Sequence, residues 1–322
     1  MDVFIIGAGA NVPYGFPTAL GLRVDIVERE HFSSFTNDTL LSRLEKTNNL
    51  KHEYKNYRKV FKDSGFSSID KHLIINQSFL NVGKYCIAGS LLKVESTSNF
   101  HEEMNENFKS QDWYSYFWNY VSSGIKSFNF LKGNFEKIKI ISFNYDRSLE
   151  YFLLNAIWNS YHDDFRKRQK RTDDLPTTIY HVYGSLGELQ VENGEIANYG
   201  KSTPAFDVHQ AVSNIKIIDE ERTLDSQVNM LVKSADRVFF LGFGFDEQNL
   251  EVLGVSRKTL MMKEVFATTY GLEENEILKI KRRLAAKKFT TKSSVISLLK
   301  NYLIPLPKRK MTASGGAMIS DD

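Results

Sequence analysis

Val3-Phe4-Ile5-Ile6-Gly7-Ala8-Gly9-Ala10-Asn11 is the stretch whose reading decides the fold. An apolar run without polar alternation is the pattern of a strand covered on both faces, as in parallel sheets. The glycines that follow let a backbone approach an anion, and a helix N-terminus after them would offer free N–H groups. A strand running into such a loop is therefore a phosphate-binding signal. The full dinucleotide fingerprint adds a third glycine and an acidic residue ending the second strand. No second strand follows here at the usual distance. A tight turn made for packing is the other reading of this loop.

The strand pattern returns at Lys137-Ile138-Lys139-Ile140-Ile141-Ser142-Phe143, and Leu149, Phe152, Leu153 and Ile157 then share one helical face. Ile179 to Tyr183, Arg237 to Phe243 and Glu264 to Thr269 read as strands. Asp225 to Ser234, Asn249 to Leu253 and Glu274 to Lys287 read as helices. Such alternation predicts an α/β fold, a doubly wound, Rossmann-like parallel sheet. Residues 20–132 carry few strand signals, with helical patterns at Thr39 to Phe61 and Asp70 to Leu92. They are expected to form an inserted, mainly helical subdomain. Within it Trp113, Phe117 and Tyr120 fall on one helical face, a packing stripe. The nucleotide-binding domain is then expected at 1–19 and 133–305, with 306–322 a flexible basic tail.

A chain of 322 residues buries about three quarters of its unfolded surface and needs no covalent staples. Its 13% aromatic content excludes extended disorder over most of the length. The single cysteine, Cys86, excludes an internal disulfide and a multi-cysteine zinc site. Eleven of the 42 Lys and Arg lie between Ile277 and Ser320, where there is no Asp or Glu, and five more crowd Arg166 to Arg171. These segments are either solvated surface or docking sites for an acidic partner, nucleic acid being the less expected one. No stretch approaches the ~20 apolar residues of a membrane span, and the first residues lack a basic n-region. A cytoplasmic location is expected, which suits a lone thiol.

Four short motifs carry a resemblance. Gly7-Ala8-Gly9-Ala10-Asn11 is followed by Gly15-Phe16-Pro17-Thr18. Ser142-Phe143-Asn144-Tyr145-Asp146 ends a predicted strand. His181-Val182-Tyr183-Gly184-Ser185-Leu186-Gly187 and Leu241-Gly242-Phe243-Gly244-Phe245-Asp246 end two others. In this order they resemble the motifs of the sirtuin-like superfamily over residues 3 to about 255. All sit at strand ends, where open parallel sheets bind ligands. The four-cysteine zinc module of sirtuin deacetylases is missing, so the chain is similar instead to the sirtuin-like NAD hydrolases of bacterial antiphage defence.

The resemblance implies NAD as substrate, no metal, and release of nicotinamide and ADP-ribose through an oxocarbenium-like state. It implies that Gly7, Ala8, Gly9, Asn11, Pro17 and Thr18 hold the pyrophosphate side, with Gly184, Ser185, Gly242, Gly244 and Asp246 around the nucleotide. Asn144, with one donor and one acceptor group and no charge, suits a water or a ribose hydroxyl. Asp146 suits the nicotinamide carboxamide, or else caps the next helix. The family's catalytic histidine falls at Tyr183. His181, two residues earlier on the predicted strand, would face the same side and has the better pKa for a general base. The other histidines, His31, His52, His72, His101, His162 and His209, are read as surface or structural. An NAD hydrolase must be held inactive, so a homo-oligomer or a separately encoded regulatory or sensor protein is expected. A non-catalytic NAD- or ADP-ribose-sensing subunit, and a protein ADP-ribosyl or deacylating transferase, are the alternatives.

Overall fold

The structure is a computed structural model. It describes residues 1–28, 48–97, 106–161, 175–192, 195–196, 198–200, 208–217, 226–285, 288–303, 310–311 and 317–318. The basic run Arg166 to Arg171 lies outside these residues, as do His31, His101 and His162. So does the expected tail, apart from a two-residue ribbon pairing Lys310–Met311 with Ala317–Met318.

Six parallel strands form one sheet: β1 (Asp2–Ile6), β2 (Ile138–Ser142), β3 (Ile179–His181), β4 (Arg237–Leu241), β5 (Glu264–Thr268) and β6 (Lys288–Lys292). Their order is β3-β2-β1-β4-β5-β6, which is the doubly wound order with its reversal between β1 and β4. Ile6 pairs with Ser142 on one side and Leu241 on the other, so three strands end level at that reversal.

Alternation along β1 feeds two cores, one on each face of the sheet. Phe4 and Ile6 join one, Val3 and Ile5 the other. The register lines up Phe4, Phe239 and Phe266 across three strands. Their rings stack at 4.8 and 4.7 Å, a cross-strand ladder that adds to plain area burial. Phe117, from the helix Trp113–Ser122, meets Phe4 edge-on at 5.3 Å. The aromatic stripe is thus the packing face that its spacing predicts. Among the described residues, Tyr57, Phe61, Leu73 and Trp113, from helices between residues 20 and 132, belong to the same core cluster as Phe4.

Several boundaries differ from the sequence reading. The pattern Asp70 to Leu92 is two helices, Ile69–Ile75 and Leu80–Thr97, broken at Asn76. Asn76 leaves the helical region and returns both its backbone N–H and its side-chain amide to the His72 carbonyl. The last predicted helix stops at Leu284, where Ala285 turns left-handed. The edge strand β6 and the helix Val295–Tyr302 that follows were not foreseen. Among the described residues, no helix is long and apolar enough to cross a membrane.

Candidate functional site

The loop after β1 is built against the loop after β4. Gly7 N–H donates to the Leu241 carbonyl at 2.9 Å and Gly9 N–H to the Gly242 carbonyl at 3.0 Å. A side chain at Gly7 would meet Gly242 O at 2.6 Å, and one at Gly242 would meet Ala10 N at 1.8 Å. Gly242 also holds a φ of +56°, which favours glycine. Ala10 and Asn11 donate back to Gly7 and Ala8 at 3.0 and 3.1 Å. The expected helix N-terminus is absent at this point: short 3-10 turns follow, and the first α-helix begins at Ala19. The amides of Gly7, Gly9, Ala10 and Asn11 are therefore spent within the protein, and the glycines serve close packing of two loops.

Asn11 and Asp146 meet in the interior. Asn11 Nδ2 lies 2.9 Å from both carboxylate oxygens of Asp146, and Asn11 Oδ1 accepts from Tyr114 Oη at 3.1 Å. Asp146 also accepts from the N–H of Ser148 at 3.1 Å and from its hydroxyl. Burial pushes the Asp146 carboxyl above its usual range, against the pull of these donors. Asp146 stands one residue before Arg147, the N-cap of the helix Ser148–Ser160, and is bonded to Ser148 and Asn11. Trp113 Nε1 braces the loop from the helical insertion by donating to the Ala10 carbonyl at 2.8 Å. Pro17 is half-buried, and the exposed Thr18 accepts from Gly21 N–H at 3.2 Å in the first turn of Ala19–Glu28.

Asn144 is different. It is 6% exposed, just past the end of β2. Its backbone N–H donates to Ser142 Oγ at 3.2 Å. Both polar atoms of its side chain are buried without a hydrogen-bond partner. Leaving buried polar groups unpaired costs about 1–3 kcal/mol each, so such a group in a folded protein calls for an explanation.

His181 ends β3 beside it. Its Nδ1 lies 2.8 Å from the backbone carbonyl of Asn144, and its Nε2 is hydrogen-bonded to Glu150. Neither ring nitrogen is left to take a proton from water. The strand stops at His181, and Val182 and Tyr183 form a turn. The same-face relation expected between His181 and Tyr183 therefore does not hold. Tyr183 donates its hydroxyl to Asn249 Oδ1 at 2.6 Å, and burial above all, then the charges of Asp70 and Asp246, raises its pKa above the usual tyrosine value. Gly184 is pressed on the Asn214 carbonyl with φ at +70°. Ser185 Oγ accepts from Gly187 N–H at 3.3 Å.

Two residues of the insertion contact the strand-end loops. Tyr145 Oη donates to Asp70 at 2.6 Å, and Lys71 Nζ lies 2.6 Å from Asp246. Asp246 also caps the helix Glu247–Val252 through Gln248 N–H at 3.1 Å. Gly244 is exposed, and Phe245 takes a left-handed φ of 54°. A separate groove of about 660 Å³ is lined by Tyr180, Gln227 and Met230. Tyr180 alternates with His181 in β3, so this groove lies toward the other face of the sheet.

The sequence reading missed Asp70, Lys71 and Glu150. It also missed Arg147, which is buried in a two-pronged pair with Glu95 at 2.9 and 2.8 Å. Only Glu150 left a trace, as an acidic residue in the first turn of the helix Ser148–Ser160. Compared with known proteins, the chain matches no protein-family model and no curated protein.

Proposed function

We propose that the chain binds NAD at the level ends of β1, β2 and β4 and hydrolyses its nicotinamide–ribose bond. The observation that carries this reading is the buried, unpartnered amide of Asn144, two residues past the end of β2, whose last residue Ser142 pairs with Ile6 of β1 beside the reversal, the region where doubly wound sheets take nucleotides. Its Nδ2 suits a ribose hydroxyl and its Oδ1 an attacking water. The C1′–N bond breaks with its electron pair leaving on nicotinamide. Water adds to C1′, and its proton passes to solvent, giving ADP-ribose. The bond breaks through an oxocarbenium-like state, in a site whose histidine and tyrosine are both engaged. Its work is to position water and exclude other nucleophiles.

By the same reading the protein acts in the cytoplasm in defence against phage, and a partner or self-assembly activates it. A second reading, a nucleotide-sensing subunit, is favoured by the engagement of His181 and Tyr183, which leaves no free base. Incubating the purified chain with NAD, alone and with its genomic neighbours, separates them. Free nicotinamide and ADP-ribose support hydrolysis. Calorimetric binding of ADP-ribose without turnover supports the sensor, and ADP-ribose on protein supports a transferase.

A further inference from the structure

We infer that Glu150 and His181 form a partly buried ion pair that fixes the backbone of Asn144, making both of them positioning residues of the site. The role assigned to Asn144 rests on the function proposed above; the ion pair does not.

The partners of the His181 ring are both acceptors: the Asn144 carbonyl on Nδ1 and the Glu150 carboxylate on Nε2. A neutral imidazole has one N–H and would turn a lone pair toward one of them. With Glu150 ionised, only the imidazolium satisfies both. The side chains are 12% and 17% exposed, so water screens the pair weakly. The charged groups facing the ring are Glu150, from the helix Ser148–Ser160, and Asp146, from the loop before it. Burial opposes the charge, but these carboxylates and the Asn144 carbonyl outweigh it, so His181 is raised above the usual histidine value.

With its carbonyl held by His181 and its N–H held by Ser142, Asn144 has both backbone groups tied while its amide stays unbonded. A binding group is preorganised in this way, with its support locked and its working atoms open. His181 then works as a fixed cation under the site and not as a base.

The test is side-chain NMR on the full chain, selectively ¹⁵N-labelled at histidine and asparagine, with His181→Gln and Asn144→Ala used for assignment. At neutral pH the parent should show both His181 nitrogens protonated. In Glu150→Gln, which keeps shape and removes charge, His181 should become neutral and the Asn144 side-chain amide signal should move. ADP-ribose should bind that variant about tenfold or more weaker, and turnover should fall by roughly 10²-fold, the cost of misplacing a positioning group. A neutral His181 in the parent, or an unmoved Asn144 amide in the variant, would overturn the inference. A charged His181 and a moved amide in a parent that binds no ADP-ribose would uphold the pair and sink the NAD reading alone.

Discussion

Arg147 and Glu95 lie 52 residues apart and pair through two hydrogen bonds, at 2.9 and 2.8 Å, in the interior. Arg147 directly follows Asp146, and Glu95 belongs to the inserted helix Leu80–Thr97. Arg147 also donates to the carbonyl of Asn198 at 2.7 Å, so it ties the insertion to the chain beyond β3. Removing one partner of such a pair strands a buried charge, and Glu95→Ala should lower the unfolding free energy by about 3–5 kcal/mol. Urea unfolding of the two proteins measures it.

The contact between the loops after β1 and β4 predicts opposite fates for two nearby glycines. Gly242→Ala demands a left-handed residue, costing roughly 1–2 kcal/mol, and drives a carbon into Ala10. It should lose well over that amount. Gly244→Ala meets nothing within 4 Å and should stay within about 0.5 kcal/mol of the parent. Thermal melts of both variants decide it.

His181 carries a pH signature. Its pKa is raised in the folded state, first against burial and then by Glu150. The stabilisation it brings is full below the unfolded histidine value and is lost as pH rises through the folded one. The stability gap between the parent and Glu150→Gln should therefore narrow toward alkaline pH. Urea titrations from about pH 6 to about pH 9, the span around an ordinary histidine pKa, would show it.

Tyr183→Phe deletes the hydroxyl that Asn249 accepts. It should cost about 1–3 kcal/mol of stability and less than tenfold in NAD hydrolysis, because that hydroxyl is turned to the protein. His181→Ala should cost roughly 10²-fold through Asn144. Parallel turnover and melting curves of the two variants check the ranking.

The strands β1, β2, β4 and β5 were legible because each is a nearly continuous apolar run that a two-sided sheet requires. β6 was not, because Lys288-Phe289-Thr290-Thr291-Lys292 is an edge strand of mixed exposure with no apolar run. β3 was read too long: Val182 and Tyr183 keep the β-rich composition, and the turn is set by Gly184 against Asn214, a contact that sequence cannot display. At the site, strand-end position pointed to Asn144. What the neighbours do depended on long-range partners. Asn11 with Asp146, His181 with Glu150 and Lys71 with Asp246 are joined across 135, 31 and 175 residues. A glycine loop that packs on Gly242 reads the same in sequence as one that cradles a phosphate.

Asn144→Ala tests the central claim most directly, with NAD turnover and thermal unfolding measured on the same samples. The substitution removes two buried polar atoms that have no partner, so the account predicts a melting temperature equal to or above that of the parent. It predicts a loss of hydrolysis of 10²-fold or more, the usual cost of removing a positioning group. Hydrolysis within about threefold of the parent, far short of that cost, would contradict it.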